Sequence, residues 1–319
     1  MMRTDRMTVG SRAAAVVVLL LLVGCAAIEE RIYHAGLVVE RTRAGVTDER
    51  VQTPRESLAY LHREGEQGTI VLLHGFASQK DLWLSFLREL PEGYQVIAPD
   101  LPGHGDSLLE QDASYDVRSL AQAVIRGLDA LETGPVHVAG TSLGGAVSLA
   151  IAVERPQQVL SVGLFNPAGA PGAETEMIAA AARGDGDNPL IATDRESLDA
   201  LLALVFYDEP VMPWPVRSVL TRYHGRRADI HQQIWKELWQ TREPIGPILE
   251  QISAPVLLVW GEQDEVFNVR GVEVFERHLG RVTTVILPDS GHTSVVEDAE
   301  ETARLYHEFL QQSGNGAAP

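Results

Sequence analysis

The chain has 319 residues, 44 acidic against 26 basic side chains, a formal charge of −18 and one cysteine. That length suits one large domain or one domain carrying a sizeable insertion, with a core that needs no covalent staple. A lone cysteine cannot form an intramolecular disulfide. The charge excludes a nucleic-acid binder, which needs a basic footprint, and disfavours electrostatic capture by anionic lipid; it reads as an acidic, solvated surface.

The first residues read as an address. Arg3, Arg6 and Arg12 stand against Asp5, Ala13 to Val23 is an unbroken apolar run, and Gly24 and Cys25 follow. A basic region, a short apolar stretch and small residues are the layout of a secretory signal peptide. The run is shorter than the roughly 20 apolar residues of a membrane-spanning helix. Leu22-Val23-Gly24-Cys25 resembles the lipobox of bacterial lipoproteins. The resemblance implies removal of residues 1–24 and acylation of Cys25. With Ala26 rather than Asp after it, it also implies an exported protein lipid-anchored in a bacterial membrane, the outer membrane facing the periplasm. Losing three arginines and one aspartate would leave the mature chain at −20.

Residues 25–50 are expected to form a polar tether, with a first edge strand at Gly36 to Glu40. Ser57 to His62 reads as a strand, and Thr69 to Leu73 is a β-branched and aliphatic run that suits a strand buried on both faces of a parallel sheet. Elements then alternate. A helix is expected over Lys80–Leu90, stopped by Pro91 and Gly93. A strand at Tyr94–Ala98, a helix at Val117–Glu132, a strand at Val136–Ala139, a helix at Gly144–Glu154 and a strand at Val159–Phe165 follow. Further strands fall at Val256–Trp260 and Thr283–Leu287, and a last helix at Ala299–Gln312. This alternation predicts an α/β fold with a mostly parallel central sheet flanked by helices.

Between Phe165 and Val256 no strand is evident. A small-residue stretch, Asn166 to Ala173, opens the segment. Thr193 to Glu196 reads as a capping box before a helix at Leu198–Phe206. Pro213 and Pro215 interrupt, and Ala228–Trp239 reads as a helix. The expected organisation is a core of residues 51–166 and 251–313, with a helical cap at 167–250 inserted before the late strands. Trp214, Trp235 and Trp239 are expected in the cap's core.

The chemistry centres on Gly140-Thr141-Ser142-Leu143-Gly144, a G-x-S-x-G sequence that follows a strand and opens a helix. A serine there stands on a tight turn with unfavourable backbone angles, and Gly140 and Gly144 are the flanks where side chains would collide. A serine hydroxyl needs a base, and the base needs an orienting acid. Asp264 follows one late strand and His292 the next, both at carboxyl ends, where ligand sites of open α/β sheets lie. Glu262 and Asp289 are the alternatives for the acid. His137, inside a strand, reads as a core histidine.

Leu72-Leu73-His74-Gly75-Phe76, Ala98 to Ser107, the Ser142 elbow, Gly261-Glu262-Gln263-Asp264 and Ser290-Gly291-His292 are together similar to the signatures of the α/β-hydrolase family, in particular its capped esterases and lipases of the monoacylglycerol-lipase-like or bacterial-lipase-like kind. The resemblance covers Ser57 to Leu310. It implies Ser142 as nucleophile, Asp264 as acid and His292 as base. It implies an oxyanion hole from the backbone N–H groups of Phe76 and Leu143, structural roles for His74 and His104, and no metal or cofactor. The expected reaction is hydrolysis of carboxylic esters, lipid esters among them, through an acyl-enzyme. Carbon–carbon bond hydrolases, cofactor-free haloperoxidase-like enzymes and peptidases share these motifs. A non-catalytic binding lipoprotein is the alternative of another class. Acyl length and oligomeric state are not written in the sequence.

Overall fold

The computed structural model describes residues 9–109 and 114–315, with side chains from 25 to 108 and from 114 to 313; Arg3 and Arg6 lie outside the described residues. In chain order it forms α1 (Val9–Arg43), β1 (Thr47–Gln52), β2 (Glu56–Arg63), β3 (Thr69–Leu73), a 3-10 turn at Lys80–Trp83 running into α2 (Leu84–Glu89), β4 (Gln95–Pro99), β5 (Leu108–Leu109), α3 (Val117–Ala130), β6 (Val136–Thr141), α4 (Leu143–Glu154) and β7 (Val159–Phe165). Then come α5 (Glu176–Arg183), α6 (Arg195–Val205), α7 (Val216–Gln240), α8 (Ile245–Leu249), β8 (Val256–Gly261), α9 (Val272–His278), β9 (Val282–Leu287), α10 (Ser294–Glu297) and α11 (Ala299–Asn315).

Eight strands form one sheet in the order β1-β2-β4-β3-β6-β7-β8-β9, with the short β5 paired to β2. The pairs β1–β2 and β2–β4 are antiparallel, and every later pair in that order is parallel. Side chains alternate across the sheet. Val71 and Leu73 of β3 join Val256, Leu258 and Trp260 of β8 in the core beneath α3 and α4. Ile70 and Leu72 join Leu257 and Val259 in a second core against α2 and α11. Two apolar faces explain why these strands read as continuous apolar runs.

The segment after Cys25 departs from expectation. No strand forms at Gly36 to Glu40; the helix continues to Arg43, and the first strand is β1. The reason is a stripe at four-residue spacing. Tyr33 is half-buried, Leu37 packs into the second core, and Arg41 holds Asp81 through Nε at 2.7 Å and Nη2 at 2.8 Å. Glu29 accepts from Arg222 at 2.6 Å and Glu30 from Arg226 at 3.2 Å, which ties α1 to α7 as well.

Helices α5, α6 and α7 are inserted between β7 and β8. The cap of α6 is Asp194, whose carboxylate accepts from Ser197 N–H at 2.9 Å, so the capping box sits one residue later than Thr193–Glu196. Helix α7 starts at Val216 rather than Ala228. Trp235 is buried, but Trp214 is 65% exposed, against the expectation of a core residue. Ile245 and Leu249 of α8 already belong to the sheet's core.

Candidate active site

Ser142 stands between β6 and α4 with φ 54° and ψ −119°, a conformation non-glycine residues rarely adopt. Its surroundings account for the glycines. A Cβ on Gly140 would lie 2.2 Å from the Gly144 carbonyl carbon, and one on Gly144 would lie 2.1 Å from the Leu73 carbonyl oxygen. The turn is pinned by Ser142 N–H donating to the Phe165 carbonyl at 3.1 Å and Ala168 N–H donating to the Ser142 carbonyl at 3.0 Å. The side chain is half-buried at the amino end of α4, where free N–H groups favour negative charge.

Asp264 follows β8 and His292 follows β9, and the structure brings them together. His292 Nδ1 lies 2.9 Å from Asp264 Oδ2, with both residues buried. Asp264 Oδ1 accepts from the N–H groups of Val266 at 2.8 Å and Phe267 at 2.9 Å. Because every neighbour of this carboxylate donates, His292 must carry its proton on Nδ1, which leaves Nε2 free as a base. Glu262 and Asp289, the two alternatives for the acid, are exposed. No hydrogen bond joins Ser142 Oγ to His292 among the described residues.

Sequence reasoning missed Asn166. It is fully buried at the end of β7 with φ 47°, and its Nδ2 donates to Asp264 Oδ2 at 2.9 Å and to the Gly291 carbonyl at 3.1 Å. Ser294 Oγ in turn donates to Asn166 Oδ1 at 2.8 Å. Asn166 therefore fixes the acid and the base's loop together. A polar residue ending an apolar core strand was the available signal.

The Phe76 loop stands beside the nucleophile: a Cβ on Gly75 would lie 3.2 Å from Ser142 Cβ. Neither Phe76 N–H nor Leu143 N–H is spent in a backbone hydrogen bond among the described residues. Buried His74 bridges this loop to the next strand. Its Nδ1 lies 2.8 Å from the Gly75 carbonyl, and its Nε2 accepts from Leu101 N–H at 2.9 Å. Burial depresses its pKa to about 4, so it is a neutral strut. The Gly75 carbonyl and Phe76 N–H share one peptide plane, so holding one aims the other.

The cap closes over this point. The Phe76 ring packs against Trp235 at 5.5 Å and His231 at 5.8 Å between centroids, both from α7. His104 stacks on His231 at 5.7 Å, and burial depresses both to about 3. His137 is buried in β6 beside Ser161 Oγ. Nearby, Lys80 is fully buried, with Nζ 2.9 Å from Asp100 Oδ2 and 3.0 Å from Asp106 Oδ2. Burial alone would lower the Lys80 pKa, but the two carboxylates hold the ammonium above its usual range. A cavity of ≈ 250 Å³ lined by Val136, Ile151 and Val159 lies at the opposite, amino ends of the strands, away from this chemistry. Among the described residues, no group of three or more His, Cys, Asp or Glu is arranged to hold a metal ion.

Cys25 is exposed on α1. Among the described residues, no helix is long and apolar enough to cross a membrane.

The chain matches the profile of the alpha/beta hydrolase family over residues 70–305. It is 31% identical to Lipase 1 of Psychrobacter immobilis over 75% of this chain and 76% of that one. It is 26% identical to human monoacylglycerol lipase ABHD6 over 79% of this chain and 78% of that one. Among solved structures, a bacterial virulence factor described as a membrane phospholipase A superposes with a TM-score of 0.86 at 37% identity, covering 96% of this chain and 99% of that one. A putative lipase from Acinetobacter baumannii superposes with a TM-score of 0.83 at 27% identity, covering 89% and 97%.

Proposed function

The chain belongs to the alpha/beta hydrolase family, and from that premise we propose that it cleaves carboxylic esters of lipids through an acyl-enzyme on Ser142. The observation that carries this reading is the His292–Asp264 pair at 2.9 Å, locked in one tautomer, at the same sheet edge as a serine held on a strained elbow. The relatives' names, lipase and monoacylglycerol lipase, support an ester as substrate.

In the proposed reaction Ser142 Oγ attacks the ester carbonyl while His292 Nε2 takes its proton. Asp264 stays ionised and stabilises the imidazolium. The negative oxygen of the tetrahedral intermediate lies against the N–H groups of Phe76 and Leu143; losing one such donor typically costs about 2.7–4 kcal/mol. His292 then protonates the departing alcohol. Water, deprotonated by His292, releases the acid from Ser142. Asn166 and His74 hold the acid and the oxyanion loop. No metal or cofactor takes part.

The test is release of nitrophenol from esters of graded acyl length by protein starting at Ala26, beside Ser142→Ala. Turnover confined to the unmutated protein supports the reading, and the length profile separates esterase from lipase. A folded protein with no turnover on any ester removes it.

We also propose that Cys25 carries a lipid and tethers the enzyme to a bacterial membrane, with residues 1–24 removed. The lipobox-like Leu22 to Cys25 and the exposure of Cys25 support this. Full-length protein made in a bacterial host should incorporate labelled fatty acid and sediment with membranes, and Cys25→Ala should do neither. Equal sedimentation of both forms with no label would overturn it.

A further inference from the structure

The base of the candidate triad is held on both sides by the cap. Gly291 precedes His292 and Thr293 follows it. Thr293 N–H and Oγ1 both donate to the Val205 carbonyl at the end of α6, at 3.1 and 3.0 Å. On the other side the link is a side chain, Glu297, the last residue of α10. Its Oε1 accepts from Gly291 N–H at 3.1 Å. Its Oε2 accepts from Tyr207 N–H at 2.7 Å and Asp208 N–H at 3.0 Å, just beyond α6. One carboxylate thus closes three amides from two chain segments far apart in sequence.

The contact is close. A Cβ on Gly291 would lie 2.7 Å from Tyr207 N and 3.0 Å from Glu297 Oε1, so only glycine lets the cap segment rest on the base's loop. No cation pairs with Glu297 among the described residues; its partners are backbone dipoles. Burial opposes its charge and lifts its pKa above the ordinary value, and the amides of Asp208, Tyr207 and Gly291 pull the other way.

We propose that Glu297 is a positioning residue for His292: it makes the base's loop and the cap segment Val205–Asp208 one rigid unit, so the base is in place only when the cap is seated. This rests on the serine-hydrolase reading above. Glu297 touches no reacting atom and acts through the Gly291 peptide. Displacing a catalytic group by about 1 Å can cost on the order of 100-fold in rate, so the signature falls in kcat rather than in KM.

The experiment compares Glu297→Ala and Glu297→Gln on a short-chain nitrophenyl ester, with thermal melting beside kinetics. Glu297→Ala is expected to lower kcat by about 10–100-fold with KM within about twofold. Glu297→Gln keeps one acceptor for Tyr207 and Asp208 but faces Gly291 N–H with a donor, so its kcat should lie between. If the alanine variant does not fold, the near-isosteric glutamine variant carries the test. Gly291→Ala, which presses on Tyr207 with Glu297 intact, should show the same kcat loss. Folded Glu297 variants with unchanged kcat, or with lowered melting temperature and nothing else, overturn the proposal. That outcome beside an active unmutated enzyme sinks Glu297 alone; an inactive unmutated enzyme sinks the hydrolase reading and this with it.

Discussion

Asp264→Asn tests the electrostatic logic of the site with a change of one atom. All four hydrogen-bond partners of the Asp264 carboxylate are donors: Val266 N–H, Phe267 N–H, Asn166 Nδ2 and His292 Nδ1, at 2.8 to 2.9 Å. An amide group turns one acceptor into a donor. If its nitrogen takes the Oδ2 position, it faces Asn166 and His292. The imidazole then accepts on Nδ1 and carries its proton on Nε2, the atom that must act as base. If the nitrogen takes the Oδ1 position, it faces two backbone N–H groups instead. The tautomer change costs about 10⁴ in kcat in serine proteases, which is about 5.4 kcal/mol in the barrier. The stranded donors cost about 1–3 kcal/mol of stability, a loss of a few degrees in Tm for a chain of this size. Steady-state hydrolysis of a nitrophenyl ester, with melting curves, measures both. A kcat loss under about tenfold in a folded variant would refute the reasoning and take the acid role from Asp264.

Two further predictions concern stability. His231 is fully buried and, among the described residues, neither ring nitrogen has a partner; burial depresses its pKa to about 3. It is neutral when folded, whereas the unfolded chain binds its proton below about 6.5. Stability therefore falls as pH drops from about 6.5 toward the folded value. His231→Phe removes the stranded nitrogens and should raise Tm at pH 7, with a shallower loss between pH 6.5 and 4; a lower Tm or an unchanged slope would contradict this. Lys80→Met leaves Asp100 buried without its cation, which should cost about 3–5 kcal/mol. Melting should show a Tm drop of about 4–8 °C for a chain of this size, partly recovered by adding Asp100→Asn; an unchanged Tm would mean the ion pair is not structural.

The sheet was legible because strands buried on both faces are mostly apolar, so Thr69–Leu73 and Val256–Trp260 stand out as β-branched and aliphatic runs ended by turn residues. The elbow was legible because sterics leave only glycine at 140 and 144. Two kinds of feature were not. Helix α1 hides its facing stripe in Tyr33, Leu37 and Arg41, where an aromatic and a cation bury as well as an aliphatic does, so a hydropathy count reads it as polar. Asn166 and Glu297 act through residues about 100 positions away or through backbone amides, and neither link has a local pattern. The start of α6 slipped because Thr193 and Asp194 are both acceptable caps, and the reciprocal hydrogen bonds between Asp194 and Ser197 select the second.

The most direct test of the central claim is covalent. Folded protein incubated with a fluorophosphonate and digested should carry the phosphonyl mass on the peptide containing Ser142, and Ser142→Ala should carry none. An adduct on another serine, or none on folded protein, would contradict Ser142 as the nucleophile.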